Sequence, residues 1–342
     1  MALTTSTDNN TVDDQIMHLI HTYGESSDAD LVKEIIFTAL RLVGDRADRG
    51  DLKILNTALK ELRYAFKVFK PYRNYRKVSI FGSARTQPDD PVYQQAVEFG
   101  RRVVERGYMV ITGAGEGIMK AGQDGAGRRM SFGLNIRLPF EQVANSIIAD
   151  DPKLITFKYF FTRKLIFVKE TDAFAMFPGG FGTHDEAFEA LTLLQTGKSD
   201  PMPVVFIDSP QERYWRTWEA FIQEHLVQKG RISPDDLSLF KITEDVEEAV
   251  EEIDTFYRNY HSLRYVKDLL VIRVNHSISP ELLDTLNHDF TDLLAAGKIE
   301  ASGALPEESN EPEIAHLPRL VLRFNRRNFG RLRQMIDVIN RY

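Results

Sequence analysis

The first 75 residues carry apolar side chains at the spacing of amphipathic helices. Three segments repeat an apolar residue every three or four positions, at residues 12–23, 31–43 and 52–69. This spacing places one apolar stripe along each helix. We therefore predict a helical extension over residues 1–75, which begins with a polar, disordered tail over residues 1–10.

After Pro71 short apolar runs alternate with helix-like segments. The runs predict strands of four to seven residues, at 77–81, 108–112, 132–138, 154–157, 172–177 and 204–207. Apolar strands that alternate with helices are typical of a parallel sheet with helices on both faces. The fold class is therefore α/β over residues 76–260.

A third pattern occupies residues 261–342. Its segments predict the order strand, helix, strand, strand, helix, at 269–274, 280–295, 298–304, 317–324 and 329–339. This order indicates a small α+β appendage. The acidic, proline-containing segment 306–313 is expected to be an exposed and mobile loop.

Composition and charge favour some classes of partner over others. The chain has 342 residues, a formal net charge of −7 and no cysteine, so disulfides and thiolate chemistry are excluded. Its overall charge favours neither nucleic acid nor an anionic membrane. Six arginines between Arg319 and Arg333 form a basic patch that we interpret as a solvated face or a subunit contact. The polar N-terminus lacks a signal pattern, and we expect a soluble cytoplasmic protein.

Three glycine turns follow predicted strands. They lie at residues 82–85, 113–117 and 179–182. Ligands of parallel sheets bind at the carboxyl ends of the strands, so the three turns are expected to open onto one crevice. Ile118 stands where a dinucleotide-binding fingerprint has its third glycine, which argues against NAD and for a mononucleotide or sugar phosphate. A strand-to-helix turn without a ligand remains an alternative for the second turn.

The third turn carries the strongest motif, Pro-Gly-Gly-Phe-Gly-Thr-His-Asp-Glu at residues 178–186. A glycine turn before a helix N-terminus is suited to bind an anion through free backbone N–H groups. Thr183 can cap the helix and also bind a phosphate. Glu186 has two interpretations: it completes a capping box with Thr183, or it is a functional carboxylate beside the anion.

Arg163 and Lys164 interrupt the strongly apolar helical segment 158–169. Either they hold an anion, or their side chains extend out of a half-buried helix into water. The histidines have no metal-ligand spacing, and we predict no metal site.

The three turns, the Arg163-Lys164 pair and the motif at 178–186 occur in the order found in the Lonely Guy (LOG) proteins. These are nucleoside 5′-monophosphate phosphoribohydrolases that activate cytokinins and were long misnamed lysine decarboxylases. The resemblance covers roughly residues 76–257. It implies a Rossmann-like fold, at least a homodimer, and hydrolysis of a nucleotide to free base and ribose 5-phosphate, without a cofactor. Departures at Ala114, Lys120 and Asp185 bear on the choice of base.

The resemblance also assigns site residues. Arg163 and Glu186 correspond to the catalytic pair, and the phosphate loop consists of Gly179, Gly180, Gly182 and Thr183. Further contacts to substrate or phosphate are predicted for Gly82, Ser83, Gly113, Gly115, Met119 and Lys164. The resemblance implies AMP or a cytokinin riboside monophosphate as the substrate. The chemistry of the reaction fits Glu186, because a carboxylate stabilises the positive charge that builds on the ribose as the glycosidic bond breaks. The alternative is a protein that binds or senses AMP with little turnover. A weaker alternative is a carrier for a phosphorylated cofactor.

Overall fold

The computed structural model describes residues 6–24, 26–138 and 143–341. The chain divides into two compact units, residues 1–61 and 62–342. The first unit holds α1 (Ser6–Tyr23), α2 (Ala29–Gly44) and the beginning of α3 (Arg49–Phe69), which continues into the second unit. The predicted helices are confirmed. The predicted tail is wrong for residues 6–10, which belong to α1, while residues 1–5 lie outside the described residues.

A seven-stranded sheet organises the second unit. Its strands are β1 (Lys77–Phe81), β2 (Met109–Thr112), β3 (Ser131–Ile136), β4 (Leu154–Phe157), β5 (Ala173–Met176), β6 (Val204–Ile207) and β7 (Lys241–Thr243). They lie in the order β4-β3-β2-β1-β5-β6-β7, and all neighbouring pairs are parallel. The predicted parallel α/β fold is confirmed. The three-residue strand β7 was not predicted, because it is too short to show a strand pattern.

Within the described residues, five α-helices lie between these strands, and α9 (Val246–Phe256) follows β7. The five are α4 (Pro91–Glu105), α5 (Ile118–Ala126), α6 (Phe160–Glu170), α7 (Phe181–Gln195) and α8 (Tyr214–Ile222). Helices α4, α5 and α9 pack on one face of the sheet. Helices α6, α7 and α8 and the end of α3 pack on the other face. The central strands β1, β2 and β5 are buried along their whole length. This double cover explains why their sequences are almost continuously apolar.

The remainder of the second unit contains an antiparallel sheet of four strands in the order β10-β11-β9-β8. Its elements are β8 (Tyr260–Val266), β9 (Leu269–Val274), α10 (Pro280–Asp289), β10 (Leu294–Ser302), β11 (Arg319–Phe324) and α11 (Phe329–Arg341). The predicted order lacked β8. This strand buries Tyr260, Leu263 and Val266, at every third residue, so its sequence does not show the alternation expected of a strand.

Two expectations about charged residues in this region are wrong at Glu308, Arg319 and Arg333, while the other residues of segment 306–313 and Arg323, Arg326 and Arg327 are not buried. Glu308, in the segment expected to be exposed, is 2% exposed and pairs with Arg273 at 2.7 Å and Arg319 at 3.2 Å. Arg319 and Arg333, assigned to a solvated basic patch, are buried as well. Arg333 pairs with Asp337 at 2.8 Å. A buried charge requires a partner, and both Glu308 and Arg333 have one far away in the sequence: Arg273 lies 35 residues from Glu308, and Glu252 lies 81 residues from Arg333.

Candidate active site

The three glycine turns meet at the carboxyl ends of β1, β2 and β5, which are neighbours in the sheet. The Ser83 N–H donates a hydrogen bond to the carbonyl oxygen of Pro178 at 3.0 Å, which joins the first turn to the third. The Ile118 N–H donates to the Ser83 carbonyl at 3.0 Å, which joins the second turn to the first. Gly117 has φ of 64°, and a Cβ there would lie 2.3 Å from the Ser83 oxygen, so this junction requires glycine.

These turns line a cavity of about 780 Å³. The predicted site residues that line it are Gly82, Ser83, Gly113, Gly115, Met119, Arg163, Gly179, Gly180, Gly182, Thr183 and Glu186. Lys164 does not line it. The structure therefore brings eleven of the twelve predicted site residues to one cavity.

The start of α7 differs from the prediction. Its N-cap residue is Gly180, and no side chain caps the helix. Glu186 is therefore the sixth residue of α7, three positions beyond the capping-box position. Both the cap at Thr183 and the capping box with Glu186 are wrong, because the helix begins earlier than expected.

Some backbone N–H groups at the start of α7 are hydrogen-bonded within the turn, and others have no acceptor among the described residues. The N–H groups of Thr183 and His184 donate to the Gly180 carbonyl, at 3.0 and 3.2 Å. No described residue accepts a hydrogen bond from the N–H of Gly180, Phe181 or Gly182. Three free donors at a helix N-terminus form an anion site of the kind that binds phosphate. Gly179 packs against this turn so closely that a Cβ there would lie 2.1 Å from Thr183 Oγ1.

Glu186 is a buried carboxylate beside two cations. Its side chain is 6% exposed, with Oε1 at 3.8 Å from Arg163 Nη2 and Oε2 at 3.4 Å from Lys164 Nζ. Burial raises the pKa of Glu186 above the ordinary glutamate value, and the charges of Lys164 and Arg163 oppose that rise only in part. A carboxylate of this kind can stabilise a cation, attack a carbon atom, or take a proton from water.

Arg163 extends into the protein and not into water. Its guanidinium lies over the rings of Phe160 and Phe167, at 5.1 and 5.7 Å from their centroids. Its Nε is buried and has no acceptor among the described residues. The alternative in which Arg163 reaches out of a half-buried helix is therefore wrong. A buried donor without a partner, at the wall of a cavity beside a phosphate-type turn, is suited to a ligand oxygen.

Lys164 lies on the other side of Glu186. Its ammonium contacts Asp185 at 3.0 Å and pairs closely with Glu189. It lines a separate cavity of about 700 Å³ between α6, α7 and β8. Adjacent residues of a helix point about 100° apart, and here Arg163 lines the cavity of the three turns while Lys164 lines the other cavity. The structure places Lys164 where it acts on the charge of Glu186.

Several residues at the site were not found from the sequence. Asn145 is 2% exposed and fixes the second turn, since its N–H donates to the Ala114 carbonyl at 2.9 Å and its amide nitrogen to the Gly115 carbonyl at 2.8 Å. Its side chain also donates to Gln123 at 2.7 Å. No local pattern marks an asparagine 30 residues after the turn that it supports. Further lining residues that were missed are Asn135, Ile136, Leu138 and Phe160.

Two other kinds of site are not seen in the described part of the chain. Residues 6–24, 26–138 and 143–341 contain no group of three or more His, Asp or Glu residues placed to hold a metal ion. None of the helices within those ranges is long and apolar enough to cross a membrane.

Comparison with known proteins gives matches to the sheet domain. Residues 113–253 match the family model described as "Possible lysine decarboxylase". A probable cytokinin riboside 5′-monophosphate phosphoribohydrolase of Oryza sativa subsp. japonica is 28% identical over 166 residues, which are 47% of this chain and 64% of that protein. The cytokinin riboside 5′-monophosphate phosphoribohydrolase of Mycobacterium tuberculosis is 28% identical over 159 residues, which are 45% of this chain and 81% of that protein.

Solved structures also resemble part of the chain. The Moco carrier protein of Chlamydomonas reinhardtii is 18% identical, with a TM-score of 0.37, and the match covers 53% of this chain and 96% of that one. The predicted resemblance to the LOG family is confirmed by the sequence matches. Residues 113–253 match the model described as "Possible lysine decarboxylase", and the curated relatives include cytokinin riboside 5′-monophosphate phosphoribohydrolases.

Proposed function

We propose that this protein hydrolyses the N-glycosidic bond of a nucleoside 5′-monophosphate in the cytoplasm. Water and the nucleotide are consumed, and the free base and ribose 5-phosphate are formed. The observation that carries the proposal is the position of the Glu186 carboxylate in the same cavity as the free N–H groups at the start of α7. A phosphate bound to those N–H groups places the ribose, to which it is attached, near the carboxylate.

The phosphate end of the substrate is assigned to Gly180, Phe181 and Gly182. Their N–H groups have no acceptor among the described residues, and the helix dipole of α7 favours a negative charge there. Arg163 supplies a buried positive charge and a free Nε donor beside the same cavity. Binding energy from the phosphate then positions the reacting end of the molecule, which is how a remote group contributes to rate.

The bond between the ribose C1′ and the base nitrogen breaks heterolytically, and the base leaves with the electron pair. Positive charge builds on C1′ and the ring oxygen, where an ionised Glu186 stabilises it or attacks C1′. Water completes the reaction: its hydroxyl bonds to C1′, and its proton passes through Glu186 to the base nitrogen that left with the electron pair. The raised pKa of Glu186 brings its proton exchange closer to neutral pH, which suits it to accept that proton.

The base is assigned to the apolar residues that line the cavity. These are Ile136, Leu138, Phe160 and Met119, and Asn135 adds a polar amide to the lining. Apolar and aromatic walls with one or two polar groups are typical of sites for a planar ring. This lining supports AMP or a cytokinin riboside monophosphate as substrate, and the curated relatives act on the latter according to their names.

We also propose that the protein acts as a homodimer or a larger homo-oligomer. Large apolar side chains of α6 and α7 are exposed on the surface of the second unit, with Phe161 54%, Leu165 47% and Phe188 40% exposed. Contiguous exposed apolar residues are typical of protein interfaces. Light scattering coupled to size exclusion tests this proposal, which a strictly monomeric protein at micromolar concentration contradicts.

The function is tested by product analysis. Purified protein is incubated with AMP and, separately, with isopentenyladenosine 5′-monophosphate, and free base and ribose 5-phosphate are quantified by chromatography. We expect both products in equal amounts, and at least a hundredfold less base from adenosine, which lacks the phosphate. Binding of AMP without any product would identify a nucleotide-binding protein with little turnover. Absence of base from every nucleoside monophosphate overturns the proposed hydrolysis.

A further inference from the structure

We infer that Tyr214 is a positioning residue for the phosphate turn, and that His184 fixes the hydroxyl of Tyr214 in this role. Tyr214 is the first residue of α8, and its hydroxyl lies 2.5 Å from the Gly179 carbonyl oxygen. His184 Nε2 lies 2.6 Å from the same hydroxyl. The inference deepens the proposed function and rests on it only for the binding of phosphate, not for the breaking of a bond.

The directions of these hydrogen bonds follow from the chemistry of the groups. A carbonyl oxygen only accepts, so the Tyr214 hydroxyl gives its one proton to Gly179. The Tyr214 oxygen must then accept from His184, which therefore carries a proton on Nε2. Burial raises the pKa of Tyr214 and lowers the pKa of His184, so the phenol keeps its proton and the imidazole stays neutral, in agreement with this chain of donors.

The orientation of one peptide bond depends on the hydrogen bond from Tyr214. In a trans peptide the carbonyl and the following N–H point in opposite directions, and no described peptide bond is cis. The Gly179 carbonyl points to Tyr214, which does not line the cavity, and Gly180 lines it. The Gly180 N–H therefore points toward the cavity, where it is one of the three free donors.

The plane of the peptide bond between Gly179 and Gly180 can rotate with little steric resistance. Glycine stands on both of its sides, so no Cβ opposes a rotation of the peptide plane. A rotated plane would direct the Gly179 carbonyl oxygen into the cavity, where it would repel a phosphate oxygen. The hydrogen bond from Tyr214 favours the orientation that donates to phosphate, which is a bias of about fivefold to tenfold for one net hydrogen bond.

The hydroxyl of Tyr214 is not needed to hold α8 in place. Trp215 and Trp218, from the same helix, are buried and pack against Phe206 with ring centroids 4.5 and 5.0 Å apart. Removing one hydroxyl leaves this aromatic packing unchanged. A variant without the hydroxyl is therefore expected to fold, and its effect on phosphate binding can be measured in the full-length protein.

The experiment measures the affinity for inorganic phosphate and for AMP by calorimetry, so that no turnover is required. We expect Tyr214→Phe to weaken both by about twofold, because loss of the fivefold to tenfold bias lowers the fraction of protein in the binding orientation to about one half. The unfolding temperature should fall by no more than about 4 °C, as expected for the loss of one hydrogen bond. We expect His184→Leu to weaken them in the same direction. His184→Gln restores wild-type affinity, because its amide N–H reaches a position close to that of His184 Nε2 and donates to Tyr214.

Three outcomes overturn the inference: wild-type protein that binds neither ligand, Tyr214→Phe protein that binds phosphate as tightly as wild type, or His184→Gln protein as weak as His184→Leu. Failure of the proposed hydrolysis is a separate result. It appears as absent base release in a wild-type protein whose phosphate affinity still depends on Tyr214.

Discussion

Replacement of Glu186 by glutamine tests the proposed chemistry most directly. Glutamine keeps the size of the side chain and removes its negative charge. A carboxylate in contact with the charged ribose, about 4 Å away at an effective dielectric constant of about 20, contributes about 4 kcal/mol. This energy corresponds to about a thousandfold in rate, so we expect Glu186→Gln to lower kcat for AMP by about three orders of magnitude.

The same substitution is expected to affect stability and binding little. Gly180 is the N-cap of α7, so no helix cap is lost with Glu186. Lys164 keeps its contacts with Asp185 and Glu189, so it is not left as a buried, unpaired charge. Burial raises the pKa of Glu186, so its ionised form opposes folding at neutral pH, and removal of that charge offsets the lost contacts with Arg163 and Lys164. We expect the free energy of unfolding to stay within about 1 kcal/mol of wild type, and the affinity for AMP to stay within threefold.

Glu189→Gln is the matched control. Glu189 lies one helical turn after Glu186, pairs with the same lysine, and does not line the cavity of the three turns. It makes the same change of charge close to the site, and we expect its kcat to stay within threefold of wild type. The assay is the release of base from AMP under saturating conditions. Equal losses in the two variants would refute a direct role for Glu186 and leave only a general effect of charge.

The dependence of activity on pH gives a second readout of Glu186. The ionised carboxylate is the active form, and its pKa is raised by burial, so kcat/KM is expected to fall on the acid side at a pH above the ordinary glutamate value. Lys164→Met removes the closest positive charge that opposes this rise. The acid limb of the kcat/KM profile should then move to higher pH. Both proteins are measured with the same substrate, so that titration of the substrate phosphate affects both profiles equally. Coincident limbs would contradict the assigned contact.

Two further predictions concern packing and buried charge. Gly179→Ala should destabilise the protein by about 1–3 kcal/mol and weaken AMP binding, because the new Cβ would overlap Thr183. Gly182→Ala has open space around its Cβ and should stabilise α7 by up to about 1 kcal/mol. Thermal unfolding measures the stabilities, and calorimetry measures the AMP affinity. Glu308→Ala should lower the unfolding free energy by about 3–5 kcal/mol in urea at pH 7, and Glu311→Ala, at a more exposed side chain, by about 1 kcal/mol or less. Burial acts to raise the pKa of Glu308, but hydrogen bonds and the paired arginines leave it lowered, so its stabilisation should be present above about pH 4.3 and be lost as the pH falls through the folded-state pKa.

The local sequence predicted the fold class of the sheet domain and six of its seven strands, but not β7 or the order of the strands. Strands buried on both faces require continuous apolar runs, and parallel strands require connecting segments that are usually helices. The apolar runs between residues 77 and 207 therefore predicted a parallel sheet covered by helices on both faces. The carboxyl ends of neighbouring parallel strands lie together by geometry. The convergence of the turns at Gly82, Gly113 and Gly179 therefore followed from the order of elements alone.

The direction of individual side chains was not determined by local sequence. A helix turns about 100° per residue, so the start of α7 at Gly180, and not at Thr183, decides which side Glu186 faces. The same rotation separates Arg163, at the cavity, from Lys164, behind Glu186. Spacing within a motif names the candidate residues, but the exact helix start decides what each of them contacts.

Contacts between distant segments depended on the tertiary structure entirely. Tyr214 reaches Gly179 across 35 residues, and Glu308 is buried between Arg273 and Arg319 although its own segment is polar. A polar residue is stable in the interior when folding brings it a partner, and no periodicity in the sequence records that partner. The sequence by itself determined the sheet, its turns and the chemical groups of the candidate site, because these depend on local apolar patterns. Only the tertiary structure decided which groups face one another, because that depends on contacts made across the whole chain.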